Sequence, residues 1–231
     1  MDIFKDEKLT ILQILKISLK TMRDYFKEIL FLAILVYLPT SILLDLINPK
    51  SLEMPTTLTL LVFISIGLVT LIYPLGIAYI IDKKQIGKEE IHSAGIFIIA
   101  LNKLPFAIGA SVIILAAIIV SIPIIIIPLI LAIYFSFVNQ VIVIRKCNPI
   151  QAIAYSYKVV KGNWWRVFGN LVVFNLISFS LVLIIQLLSV YIPINIFTSS
   201  IIAITAGITT GFSLICRTIL FYNLDKSSTK K

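Results

Sequence analysis

Ionisable side chains are nearly missing from three long stretches of this 231-residue chain. Between Glu28 and Asp82 only Asp45, Lys50 and Glu53 can carry charge. Between Lys103 and Arg145, and again between Arg166 and Arg217, there is no Asp, Glu, Lys or Arg at all. Moving an ion into hydrocarbon costs several kcal/mol, so such runs are what a bilayer selects. A crossing needs roughly 20 apolar residues, and each run is long enough for two. Other absences narrow the chemistry. There is one histidine, His92, so no span offers a base to a serine such as Ser213, and Glu89-Glu90 lacks the histidine partners of a metal site. Cys147 and Cys216 form no CxxC pair and imply no disulfide framework. No Walker lysine loop and no dinucleotide glycine pattern is present, and no cofactor is indicated. Short alternating segments, the mark of an outer-membrane barrel, are missing too.

What remains is 59% hydrophobic and 13% charged, with mean hydropathy +1.06. A soluble domain carries about a quarter charged residues. The sequence therefore reads as an all-α polytopic membrane protein, one integral membrane domain over 1–231. Spans are expected near 29–47, 58–81, 105–122, 126–144, 167–190 and 197–221. The second run would be ~60 Å long as one helix, twice the hydrocarbon core, so it must turn. Ser121, Pro123 and Pro128 mark that turn, Tyr191, Pro193 and Asn195 mark another, and the Asn48–Thr57 loop closes the first pair.

Lysine and arginine fix an orientation. Six lie up to Lys27, four in 82–104, five in 145–166 and four from Arg217 onward, while Lys50 alone falls in a turn between spans. The positive-inside rule puts both termini and both long connectors in the cytoplasm of a cell-membrane protein. The net charge of +9 is thus matched to anionic headgroups on the cytoplasmic side, and nucleic acid is not the expected partner. The mixed-charge start is not a cleavable signal peptide, and the first span is expected to stay as an anchor.

An internal repeat is visible, with units of about 1–81, 82–144 and 145–231. Each contains a stretch ending in Tyr25-Phe26, Leu104-Pro105 or Trp164-Trp165, followed by two spans. In the first stretch Gln13, Lys16, Lys20, Arg23 and Lys27 fall on one helical face and Leu12, Leu15, Leu19, Met22 and Phe26 on the other. In the third, Gln151, Tyr155, Lys158 and Gly162 oppose Ile150, Ile153, Ala154, Tyr157 and Trp164. The middle stretch, Gly87 to Lys103, is more apolar. The expectation is six transmembrane helices as three hairpins, each preceded by a cytoplasmic amphipathic interfacial helix.

Within that frame, Lys161, Trp164, Trp165 and Arg166 read as a membrane-interface group, since an indole buries its ring there and keeps its N–H wet. Arg217 reads as a cation snorkelling to the headgroups, with pairing to Asp225 or to a phosphate as alternatives. Ala203, Gly207 and Gly211 form a small-xxx-small strip for close helix packing. Asn170, Asn175 and Gln186 are the embedded polar groups of the fifth span, suited to interhelical hydrogen bonds or to a polar cavity.

The residues Ala152, Ala154 and Ser156, followed by Lys161-Gly-Asn-Trp-Trp-Arg-Val-Phe-Gly169, resemble the membrane domain of glycerophosphoryl diester phosphodiesterases. The ending Arg217-Thr-Ile-Leu-Phe-Tyr-Asn-Leu-Asp225 is similar to that family's Tyr-x-Asp-Leu-Arg-like close, from which it departs in reading Asn-Leu-Asp-Lys. The resemblance implies a free-standing six-span relative without the catalytic domain. A non-catalytic role in lipid binding, scaffolding or self-protection follows. The alternative is the permease subunit of an exporter working with a separate ATPase, with 82–104 as the coupling element. The threefold repeat speaks against that alternative.

Overall fold

The computed structural model describes residues 8–46, 56–85, 93–124, 126–189 and 196–229. These form ten helices and, among the described residues, no strand: α1 (Ile11–Asp24), α2 (Phe26–Leu46), α3 (Thr56–Thr70), α4 (Ile72–Gln85), α5 (Ser93–Ser121), α6 (Ile126–Tyr134), α7 (Val138–Ile144), α8 (Pro149–Val160), α9 (Trp164–Ser189) and α10 (Ile196–Thr229). Six stretches are long and apolar enough to cross a membrane: Phe26–Asp45, Thr59–Gln85, Ser93–Ser121, Ile126–Ile144, Trp164–Leu188 and Ile196–Lys226. The protein is a multi-pass helical membrane protein.

Local chemistry sets the helix ends. α1 starts at Thr10, whose hydroxyl accepts from the Gln13 N–H while the Gln13 side chain accepts from the Thr10 N–H. α8 starts with the same reciprocal pair, Asn148 and Gln151, and has Pro149 in its first turn. Each arrangement satisfies two otherwise orphaned backbone N–H groups. Gly162, at φ +89°, takes the left-handed conformation that lets the chain leave α8 and enter α9 within three residues.

Two spans are interrupted. The second breaks at Leu71 between α3 and α4, because Pro74 cannot bond the Thr70 carbonyl and its ring crowds it. The fourth breaks at 135–137, where no proline is present. Here Ser156 of α8 enters the ladder: its hydroxyl donates to the Tyr134 carbonyl at 2.7 Å and accepts from the Phe137 N–H at 3.3 Å. An inserted side chain of this kind is a recognised cause of a helix break.

Helix α10 occupies the centre, packed by α2, α9, α1, α4 and α8. Every residue from Thr218 to Asp225 is buried, on all sides of the helix. The leading helices share one pattern. Ile14, Ser18 and Thr21 of α1 are buried, as are Ile96 and Ala100 of α5 and Ala152, Ser156 and Val159 of α8. These helices pack on spans of other units: α1 on the last, α10, α5 on the preceding α4, and α8 on the preceding α7.

The structure corrects the sequence reading at two points, the start of the third span and the limits of the others. No separate helix precedes the third span: α5 runs unbroken through Leu104-Pro105 from Ser93, 29 residues in all, while 87–92 lie outside the described residues. A continuous stripe of Ile96, Ala100, Ala107 and Ala110 packs inward along it and outweighs the one ladder bond that Pro105 removes. The apolar faces read in the first and third stretches point largely away from the bundle. Leu12 is 70% exposed, Leu19 58% and Ile150 71%, whereas small and hydroxyl side chains pack inward. The helical spans also extend further than expected, the second to Gln85 and the last to Lys226, while the fifth begins at Trp164. The second run does end its helix at Ser121 and resume at Ile126. The other two turns fall at 47–55 and 190–195, outside the described residues.

Candidate functional site: a polar hub and an open cationic flank

All four basic segments meet at one end of the bundle, and the tail of α10 joins them. Tyr222 donates its hydroxyl to Asp82 of α4 at 2.6 Å. Asn223 accepts from Arg166 of α9 at 2.7 Å and from the Leu9 N–H at 3.3 Å, and Arg166 also donates to the Leu9 carbonyl at 2.9 Å. Asp225 accepts from Arg145 at the end of α7 and from the Tyr155 hydroxyl of α8. Nearby, Lys84 pairs with Asp24 at 2.9 Å and donates to Thr21 at 3.3 Å, tying α4 to α1. The Tyr222-Asn-Leu-Asp225 string thus joins three polar side chains to five residues, Asp82, Arg166, Leu9, Arg145 and Tyr155.

The hub is electrically closed around Asp225, whose side chain is 7% exposed. Burial, and then the Asp225 carboxylate, push the Tyr155 phenol up from 10.0 to about 12. Burial works against the charge of Arg145, but the bond and field of Asp225 outweigh it and raise the guanidinium further. These groups stay neutral and charged, respectively, at any physiological pH. The arrangement ties the ends of α4, α7, α8, α9 and α10 together.

The flank formed by α9 and α10 is different. Arg217 donates to the Asn175 side chain at 2.6 Å. It forms no ion pair with any described carboxylate, and its Nε is buried without a partner. Arg166 likewise has only neutral partners, and its Nη1 is buried without one. Trp164 stacks on Phe168 at 5.3 Å and meets Trp165 edge-on at 4.8 Å, with the Trp164 indole N–H buried and unpartnered. Trp165 is 77% exposed, and Lys161 is exposed just before it, 5.8 Å from the Tyr157 ring.

The residues singled out in the sequence therefore separate. Asn170 is buried and bonds within its own helix, to the Arg166 carbonyl at 2.7 Å, with its Oδ1 unpartnered. Asn175 bridges two helices, and Gln186 is exposed further along α9. Gly207 and Gly211 admit aromatic rings. A Cβ at Gly207 would sit 2.6 Å from the Tyr37 ring, and one at Gly211 would strike the Tyr73 hydroxyl, which donates to the Gly207 carbonyl at 2.8 Å. Ala203 is half-buried two turns before Gly211. Among the described residues no cluster of His, Cys, Asp and Glu could hold a metal ion. His92 and Glu89-Glu90 lie outside them.

Residues 62–222 match a protein family described as "Domain of unknown function (DUF7847)". The chain belongs to this family. The DUF7847 segment takes in the open flank whole, with Lys161, Trp164, Asn175 and Arg217. It stops at Tyr222, so Leu9, Asn223 and Asp225 lie outside the match. No curated protein and no solved structure matches the chain.

Sequence reasoning missed the hub's acceptors and the serine at the break in the fourth span. Asp82 and Tyr222 are 140 residues apart, and Arg145 and Asp225 are 80 apart. The one available signal was the compositional oddity of carboxylates at the ends of otherwise uncharged runs.

Proposed function

We propose that this chain is a non-catalytic, lipid-binding module of the cell membrane, with both termini in the cytoplasm. The carrying observation is the distribution of exposed cations. Lys16, Lys20, Arg23, Lys27, Lys158 and Lys161 are all exposed, and they belong to the segments that converge on the hub. Beside them stands Trp165, an anchor of the kind found at the membrane–water boundary. A surface of this type attracts anionic leaflet lipids by about 1 kcal/mol per basic residue. The units read as three hairpins, in which α1 braces the last span, α5 the second and α8 the fourth. On this reading α1 and α8 lie beside the headgroups, and the Lys161–Gly169 string supports a distant kinship with the phosphodiesterase membrane domain.

Reconstitution tests the proposal. In discs of phosphatidylcholine, adding phosphatidylglycerol should raise the thermal midpoint of the protein. Equal midpoints in both lipids would overturn lipid binding. Cysteine labelling tests the orientation: replacements at Lys50 and Ile194 should label from outside and one at Lys158 only from inside. The permease reading draws on the interrupted second and fourth spans, since broken helices line many transport paths. Recovery of a stoichiometric ATPase from native membranes would favour it.

A further inference from the structure

Arg217 is anomalous in its surroundings. The eight residues after it on α10 are buried, and the hub cations around Asp24 and Asp225 have acidic partners. Arg217 instead crosses to Asn175, on the most outward face of α9. That face carries Trp165, Val172, Leu176 and Phe179, exposed by 77%, 38%, 57% and 65%. Helical spacing of three and four puts all of them and Asn175 on one strip.

Depth follows from helix length. Roughly 20 residues cross the hydrocarbon. Counted back from Ser189, they end near Gly169, which leaves Asn175 ~9 Å inside that edge at 1.5 Å per residue. Counted from Ile196, they end near Cys216, so Arg217 stands at the edge itself. Its Cβ leans toward the start of α10, which aims the side chain inward, toward Asn175. A guanidinium has five N–H donors, and one neutral amide satisfies one of them. A cation in that position is stabilised by drawing an anion and water to it, with local thinning of the leaflet. The exposed Lys161 and Trp165 lie at the headgroup end of the same strip.

Resting on the lipid-binding reading above, we propose that Arg217 and Asn175 hold the phosphate of one cytoplasmic-leaflet phospholipid below its usual plane. The acyl chains lie along Val172, Leu176 and Phe179. The planar guanidinium takes two phosphate oxygens side by side, a geometry a lysine would not reproduce. Asn175 orients it by accepting one N–H and offers its own amide N–H groups outward.

The test uses the full chain, purified in mild detergent and exchanged into phosphatidylglycerol, with retained lipid counted by native mass spectrometry. Wild type should keep one phospholipid through a delipidating wash. Arg217→Gln and Asn175→Leu should each lower that occupancy by about tenfold, the weight of a charge-assisted hydrogen bond. Arg217→Lys should recover only part of it. Unchanged occupancy in variants that elute as wild type does in gel filtration would overturn the site. Binding of inorganic phosphate with the same Arg217 dependence, but without a retained lipid, would overturn it in favour of a soluble anion. So would a protein that co-purifies with wild type and is lost in Arg217→Gln. If phosphatidylglycerol gives wild type no advantage over phosphatidylcholine, the broader lipid reading fails. If that advantage persists and Arg217→Gln keeps its lipid, only this site fails.

Discussion

Helices α9 and α10 are sequence neighbours, both uncharged for most of their length, yet they live in different solvents. Of the span of α10, 44% is buried inside the molecule, against 11% for α9. The polar groups of α10 at its hub end meet other polar groups in satisfied pairs. Those on the α9 side are left with neutral partners or none. One chemistry, a polar side chain in an apolar run, thus does two things. Packed among helices it specifies which ends meet. On the α9 side it leaves a cation with a neutral partner only.

The contrast predicts unequal responses to mutation. Asp225→Ala should be the most damaging change, costing about 3–5 kcal/mol, because it removes the charged acceptor of two hydrogen bonds, from the Arg145 guanidinium and the Tyr155 hydroxyl. The readout is the thermal unfolding midpoint in detergent. Next comes Ser156→Ala, which orphans the Tyr134 carbonyl and the Phe137 N–H at the break in the fourth span. About 2–3 kcal/mol should be lost in the same assay. Gly207→Ala should cost about 1–2 kcal/mol by pressing on the Tyr37 ring, and Tyr37→Leu should relieve that penalty in the double variant.

Alkaline pH sharpens the comparison further. The Tyr155 phenol has its folded-state pKa raised from 10.0 to about 12, so its stabilising contribution is complete below pH 10. Above that, the unfolded chain ionises first, and the contribution is lost as pH rises toward 12. Tyr155→Phe should flatten this part of the pH–stability curve. The smallest effect on folding belongs to the flank. Arg217→Gln removes a cation with no acidic partner and should shift stability by less than about 1 kcal/mol. A loss as large as that of Asp225→Ala would erase the distinction between the two regions.

The sequence reading singled out conspicuous residues, of which the structure pairs Asn175 with Arg217 and sends Arg166 to Asn223. Lys161, Trp164, Trp165, Arg166, Asn175 and Arg217 were legible because charge and indole are conspicuous in apolar runs. The hub was not, because Asp82, Asn223 and Asp225 carry no local pattern, and only chain folding brings them to Tyr222, Arg166 and Arg145. The sequence divided α1 and α8 into polar and apolar faces, but only the fold shows which side chains pack inward. Lipid is as apolar as a protein core, so large residues such as Leu12 and Ile150 can face outward while Ser18 and Ser156 pack inward.

By itself, the sequence determined that the chain is a multi-pass membrane protein with six stretches long and apolar enough to cross. Desolvation of an ion is so costly that its absence over long runs needs no tertiary context to interpret. Which buried polar groups become partners, and which cation is left without an acidic one, was decided only when α10 took the central position. Hydrogen bonds act over about 3 Å, and the chain must bring distant residues that close before they can pair.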